Sequence, residues 1–323
     1  MSAKKPRLWN PNPHKAVDWN EKAIAKRLEK GPLYAGIKYD GFRCLITKLK
    51  GDVRITTREG IEIPSLAAFR PQFAELLDGY HDRVLDAEVK ILGLPFEEMS
   101  GHLRRDAPLV DELLPAVKFV IFDLVRTAVV VEGGDSPPRC DRLLPLYGCV
   151  QRDVPHQEEG GLYLEAHVEV RTLADIARLY ATVRRAGHEG LVLKDPLLGY
   201  RNGKVSGWWK VKPGCGAEFA PGFEADGVVV GYVWGDEEKA NSGKIVGFRV
   251  KLEDGSEVNA TGLTQAQMQH YTSNYHATAY EVGITRTIYI GQHCRVSGME
   301  RTKDGSIRHP HFDGFRDIGG TKA

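Results

Sequence analysis

The sequence predicts an α+β protein of two domains, a mixed α/β domain followed by a small β-barrel domain, and three observations predict it. The 323 residues are more than one ordinary small domain uses. Over the first two thirds, segments with strand alternation are interleaved with segments of helical spacing. The stretch Pro213 to Glu224, PGCGAEFAPGFE, carries Gly, Pro and Ala without any period and reads as a linker, beyond which short strands dominate.

In chain order, Asp18 to Lys30 has helical spacing with charges outside and stops at Gly31-Pro32, which predicts a short surface helix. Tyr34 to Thr57 reads as two strands joined near Gly51-Asp52, and SLAAFRPQFAELLDGY then reads as a helix. In Arg83 to Leu92 the alternation puts Leu85, Ala87, Val89 and Ile91 on one face and Asp86, Glu88 and Lys90 on the other, aimed away from the core. Strands follow at Lys118 to Arg126 and Tyr163 to Val170, a helix at Leu173 to Ala186 and an apolar strand at Gly190 to Lys194. After the linker come strands at Asp226 to Trp234, Lys244 to Leu252, Glu257 to Thr261 and Thr287 to Val296. One helix is inserted near Gln265 to Ala279, a pattern that fits an OB-fold.

Composition narrows the function class. Hydrophobic residues make up 42% and charged residues 27%, and no run approaches the ~18 apolar residues of a membrane span. The basic start, Met1 to Arg7, leads into Trp, Asn and Pro rather than an apolar core, so a cytoplasmic rather than secreted protein is expected. Five cysteines without a C-x-x-C pair argue against a disulfide framework and a structural zinc. A net charge of +1 neither announces nor excludes a nucleic-acid partner, because charges segregate onto faces.

Five constellations carry chemistry. In Lys38-Tyr39-Asp40-Gly41-Phe42-Arg43 a nucleophile, a carboxylate and a phosphate clamp lie close together, with Lys38 and Asp40 on one strand face and Gly41 permitting a tight turn. A lysine becomes nucleophilic when cations or desolvation lower its pKa, and Arg43, Lys210 and Lys212 are the candidate cations. Asp86 and Glu88 offer hard oxygen ligands to a ribose hydroxyl or a Mg²⁺-bound water. Glu189 and Lys194 bracket a buried apolar strand, EGLVLK. In WWKVKP, Lys210 and Lys212 share a face suited to phosphates, and Arg308 and Arg316 form a basic pair near the carboxyl end, suited to pyrophosphate. Read singly, each is compatible with a solvated surface.

Taken in order, KYDGFR, Arg58 in TTREG, LDAEVK, FVIFDL, EGLVLKD, WWKVKP and RHPHFDGFR resemble the successive motifs of the covalent nucleotidyltransferases. Within that superfamily RRAGHEGLVLKDP, SGWWKVKP, ADGVVVGYVWG and GSIRHPHF resemble the short ATP-dependent DNA ligases of T-odd bacteriophages, over about Asn12 to Arg316. The resemblance implies a nucleotidyltransferase (adenylation) domain, ATP-grasp-like, over 1–218 and an OB-fold domain over 219–323. It implies Lys38 as the nucleophile that forms lysyl-AMP, ATP and Mg²⁺ as cofactors with Mn²⁺ as a substitute, and nicked duplex DNA as substrate for a monomer without an obligate protein partner.

By motif position, Ile37, Arg43, Arg58, Glu88, Phe122, Lys204, Lys210, Lys212, Arg308 and Arg316 are expected to contact the nucleotide, with Phe122 stacked on adenine. Asp40, Glu88 and Glu189 are expected at the metal. Many ligases carry a side chain two residues before the nucleophile that helps read the adenine amino group. Here that position is Gly36, which leaves the reading of adenine to backbone atoms. A GTP-using capping enzyme, an RNA ligase and a non-catalytic single-strand-binding OB protein are the alternatives, and WWKVKP and RHPHF stand against the first.

Overall fold

The computed structural model describes residues 5–153, 159–216, 219, 223–281, 288–298, 300–301 and 307–316. It divides into two compact units, Met1–Lys212 and Pro213–Ala323. In the first, the strands run β1 (Lys15–Asp18), β2 (Leu33–Lys38), β3 (Phe42–Leu49), β4 (Asp52–Thr57), β5 (Arg83–Ile91) and β6 (Val117–Arg126). They continue as β7 (Gln151–Arg152), β8 (Gly161–Leu164), β9 (His167–Val170), β10 (Gly190–Lys194) and β11 (Lys204–Val211).

These strands make two sheets, of order β1-β11-β10-β2-β9 and β4-β3-β5-β6-β8-β7. One cluster of buried residues, including Ile46, Phe73, Leu85 and Phe119, fills the face of the second sheet toward its helices. Another joins Leu45, Val84 and Val125 of the second sheet to Tyr200 and to Trp208 of β11, so it lies between the sheets. A cavity opens beside this second cluster, at Phe122 and Trp208.

The helices follow local sequence closely. The first, Glu21–Leu28, starts at Asn20, whose side chain accepts a hydrogen bond from the Ala23 amide at 3.0 Å. The helix Leu173–Arg185 opens on a capping box, in which Thr172 and Asp175 each accept from the other's backbone amide. Its apolar side buries Ile176, Tyr180 and Val183. No helix of the described residues is long and apolar enough to cross a membrane.

Two expectations are corrected. Tyr34 to Lys50 is not one strand: β2 ends at Lys38 and β3 starts at Phe42 in the other sheet. Lys38 and Asp40 therefore do not share a strand face. Likewise Tyr163 to Val170 is split after Leu164, with β8 in one sheet and β9 in the other. In both places a run that alternates like a single strand carries the chain between sheets, which period-two patterning does not register.

In the second unit, β12 (Phe223–Trp234), β13 (Ile245–Leu252), β14 (Glu257–Ala260), β15 (His293–Gly298), the short pair β16 (Glu300–Arg301) and β17 (Ile307–Arg308), and β18 (His311–Phe315) appear in turn. Five of them form a sheet of order β14-β13-β12-β15-β18. Its outer strands meet at a parallel bridge between Thr261 and His311, where Thr261 donates to Pro310 at 3.1 Å and Phe312 donates to Thr261 at 2.9 Å. That bridge satisfies backbone groups that an open sheet would leave unpaired. Val229, Phe248, Val250, Val296 and Phe312 fill the interior. The inserted helix Gln265–Glu281 is tied to the sheet through Thr272, whose hydroxyl accepts from the Ile245 amide at 2.9 Å. This is the OB-fold expected from the strand pattern. The expected strand from Thr287 begins at His293, and 282–287 lie outside the described residues.

Candidate active site

A cavity of about 370 Å³ in the first unit is lined from both sheets. One sheet contributes Ile37 and Lys38 from β2, Val192 and Lys194 from β10, and Lys204, Trp208 and Lys210 from β11. The other contributes Arg43, Glu88 and Phe122 from β3, β5 and β6, with Arg58 just beyond β4.

Lys38 stands at the end of β2, paired with Gly190 of β10, and its amine contacts the carboxylate of Glu189. Gly190 has φ +155, and a Cβ there would lie 2.1 Å from the Val211 carbonyl oxygen. Only glycine lets β10 and β11 approach closely enough to place Glu189 beside the lysine. After Lys38 the chain crosses to the other sheet through Tyr39-Asp40-Gly41. A Cβ on Gly41 would stand 2.7 Å from both Glu88 Cγ and the Val89 carbonyl oxygen, so this glycine admits the Glu88 side chain to the cavity.

Arg43 is held by a bidentate pair with Asp86, Nε to Oδ1 at 2.8 Å and Nη2 to Oδ2 at 2.6 Å. Tyr200 donates a third hydrogen bond to Asp86 at 2.7 Å. Asp86 is completely buried, not aimed at solvent with Glu88 as alternation predicts. Register slips at Asp86/Ala87 where β5 pairs with β6, and buried arginine and tyrosine partners satisfy the carboxylate. The Arg43 guanidinium lies 5.3 Å from the Phe122 ring centre and leaves its other edge toward the cavity. Burial pulls down the Arg43 pKa, but the Asp86 charge outweighs it and the net shift is upward, so the cation is permanent.

Glu88 is partly exposed as a residue, yet its carboxyl lies among packed groups. Desolvation pushes it up to about 7, with Asp86 and Glu189 adding to the rise against the pull of Arg43 and Lys38. Lys194 shows the converse: burial lowers it to about 8 although Glu165 favours its charge. Its amine lies 4.7 Å from the Phe122 ring centre and 4.8 Å from that of Trp208. Lys204 and Lys210 are both bound to Asp18 at 2.9 Å, and Arg58, largely exposed, to Glu59 at 2.6 Å.

The remaining candidates do not line this cavity, and Glu189 reaches it only through its contact with Lys38. Asp40 lies in the crossing between sheets, and Lys212 follows the end of β11 rather than sharing its face with Lys210. Arg308 sits in β17 of the second unit, where Arg316 is paired bidentately with Asp226 at 2.9 Å. No cluster of three acidic, histidine or cysteine side chains forms a ready cation site among the described residues.

Lys15, Ala16 and Glu165 line the cavity from outside the motifs, and Val192 and Trp208 lie within motifs without being assigned to the site. Glu165 accepts from Lys194 and Arg139 and presents no local pattern in YLEAHVEV. Val192 reads as core. Trp208 stacks on His14 at 4.4 Å and forms a wall.

His14 itself gives an expected pH effect. Burial lowers it to about 4, against which a backbone bond with Val205 acts weakly. A folded-state value below the ordinary 6.5 means that the unfolded chain binds the extra proton, so stability falls as pH drops from about 6.5 to about 4 and levels off below. The variant His14→Gln should flatten the dependence of Tm on pH within that window, and an unchanged slope would contradict the assignment.

A family model described as the ATP dependent DNA ligase domain matches residues 13–212, and one described as the DNA ligase C-terminal domain matches residues 221–316. The DNA ligase of Enterobacteria phage T3 is 34% identical over 96% of each chain. That of Escherichia phage T7 is 35% identical over 94% of this chain and 96% of its own. A solved structure of the ATP-dependent DNA ligase from bacteriophage T7, in complex with ATP, matches with a TM-score of 0.55 and 32% identity, over 94% of this chain and 98% of that one. A Lig E DNA ligase, 17% identical with a TM-score of 0.63 over 94% and 99%, shares the fold.

Proposed function

The chain belongs to the ATP-dependent DNA ligases, and from that premise we propose that Lys38 carries AMP from ATP to the 5′-phosphate at a nick in duplex DNA. The observation that carries the assignment is the contact of the Lys38 amine with Glu189 at the wall of a cavity that Arg43, Glu88 and Phe122 complete from the opposite sheet.

In the first step the Lys38 amine attacks the α-phosphorus of ATP. A nitrogen–phosphorus bond forms, the bond to the bridging oxygen breaks, pyrophosphate leaves, and Glu189 takes the proton that the ammonium gives up. In the second, an oxygen of the DNA 5′-phosphate displaces the lysine, which recovers a proton. In the third, the 3′-hydroxyl attacks that phosphate and AMP departs. Each is an in-line transfer at phosphorus, which demands positioning and charge neutralisation above all.

Phe122 supplies a stacking face for adenine, and Ile37 borders the base from β2. Arg43, fixed by Asp86, faces the α-phosphate and then the nick phosphate, with Arg58 beside it and Glu88 at the ribose. Lys204, Lys210 and Lys212 neutralise phosphates, and Lys210 gives up part of its attraction to Asp18 when ATP arrives. Arg308 and Arg316 of the OB-fold domain orient the pyrophosphate. The division of labour follows residues 1–218 for adenylation and 219–323 for the OB-fold.

A divalent cation fits the donor set. Mg²⁺ typically takes one or two carboxylates and completes its shell with water and substrate phosphates; Glu88 lines the cavity, Glu189 contacts the Lys38 amine beside it, and the third acid, Glu165, is engaged by Lys194 and Arg139. Glu88 and Glu189, with Asp40 nearby in sequence, would hold Mg²⁺ or its substitute Mn²⁺, whose chemistry is to neutralise triphosphate charge. DNA contacts are made chiefly to phosphates, hence largely without sequence preference and weakened by salt. The protein acts as a monomer in a bacterial cytoplasm, in replication, repair or recombination.

The test is incubation with α-labelled ATP or GTP and Mg²⁺, then denaturing electrophoresis. Label from ATP alone, abolished by a chelator, is the expected result. Label from GTP alone points to a capping enzyme, and no label on folded, AMP-free protein contradicts the reading.

A further inference from the structure

We propose that Glu165 is the specificity-determining residue for the nucleobase, taking the amino group of adenine from a strand other than the one that carries the nucleophile. This rests on the ligase reading above.

The geometry begins at Gly36, two residues before Lys38. A Cβ built on Gly36 would lie 2.5 Å from Glu165 Oε1, 2.9 Å from its Cδ and 3.3 Å from its Cγ, with no other atom as near. The space that a side chain on β2 would fill is therefore occupied by a carboxylate arriving from the turn between β8 and β9. Gly36 has no positive φ to explain a glycine there, so room for Glu165 is its one structural requirement.

Glu165 is only 4% exposed, yet it lines the cavity together with Ile37, Phe122, Val192 and Trp208, the apolar surfaces suited to a flat base. Its orientation is fixed. Lys194 donates to Oε1 at 2.7 Å and to Oε2 at 2.5 Å, Arg139 donates to Oε2 at 2.7 Å, and the Glu165 amide donates to Ile121 at 2.8 Å.

The two oxygens are not equally used. Oε2 accepts twice and Oε1 once, and Oε1 is the oxygen nearest the Gly36 opening. An ionised carboxylate has about four acceptor positions. Oε1 thus retains a lone pair for a donor on the base. Adenine presents an exocyclic N–H₂ donor where guanine presents an oxygen, so the same atom attracts one base and repels the other. A hydrogen bond to a charged group corresponds to about a 10- to 100-fold preference.

The experiment measures labelling rate against the concentration of ATP, GTP and purine riboside triphosphate, which lacks the 6-amino group. Wild type should favour ATP over the deaminated analogue by about 10- to 100-fold. Equal use of the two would overturn the proposal without any variant. In Glu165→Gln the apparent KM for ATP should rise, the saturating rate should stay within a few-fold, and the ATP-to-GTP ratio should fall, the split expected of a group that binds remote from the reacting phosphorus.

Because Glu165 also neutralises Lys194 and Arg139, a second variant moves the carboxylate instead of deleting it. The double change Gly36→Glu with Glu165→Ala should restore ATP preference toward wild type. Unchanged KM and base preference in folded Glu165→Gln would overturn the assignment, as would a folded swap variant that shows no preference for ATP. Absence of label on wild type with ATP would instead strike the ligase reading itself.

Discussion

Replacing Lys38 by Ala is expected to abolish labelling of the protein by α-labelled ATP, and Lys38→Arg to do the same. A guanidinium in its place remains protonated and delocalised at any accessible pH, and the other amines that line the cavity, of Lys15, Lys194, Lys204 and Lys210, stand on other strands. The loss is expected to be complete within detection, with the fold retained. Lys38 is partly exposed and its removal leaves Glu189 near Glu88, a local repulsion rather than a cavity. Tm by calorimetry should move by no more than a few degrees. Residual labelling in Lys38→Ala, mapped to another residue, would contradict the role given to the amine.

Asp86→Ala carries the second large effect, here on stability as well as rate. The change leaves the Tyr200 hydroxyl, sealed from water, and the Arg43 guanidinium, whose inner edge is buried, without their shared partner. Breaking a buried pair by deleting one member costs about 3–5 kcal/mol, because the remaining charge keeps its desolvation penalty. For a domain of this size that corresponds to a fall in Tm of roughly 6–20 °C. Arg43 also loses its orientation, and a misplaced phosphate clamp costs on the order of 100-fold in rate. Asp86→Asn keeps the shape and two hydrogen-bonding atoms and should fall between. An Asp86→Ala protein with wild-type Tm would show that the bidentate pair contributes little.

The contrast between these residues shows what patterning conveys. Lys38, Glu189 and Arg43 stand out because nucleophile, carboxylate and clamp must be particular residue types, and the chain keeps them beside glycines whose spacing is visible. Helix Leu173–Arg185 and strand Gly190–Lys194 were legible for the same reason: cap, period and terminator coincide. Alternation misplaces Asp86 because it assigns faces without registering that both faces of β5 are covered. The crossing at Tyr39-Asp40-Gly41 was invisible because a strand that changes sheets keeps its period. Glu165 left no mark at all. Its place is set by Gly36, 129 positions earlier, and a missing side chain reveals which residue replaces it only once the strands are paired.

The most direct measurement is a single-turnover chase. Enzyme labelled on Lys38, freed of ATP and mixed with a duplex bearing one nick with a 5′-phosphate, should lose its label to the DNA 5′ end and then to free AMP, with one strand sealed per AMP released. Label that remains on the protein in the presence of the nicked duplex, or that passes only to RNA ends, would contradict the account.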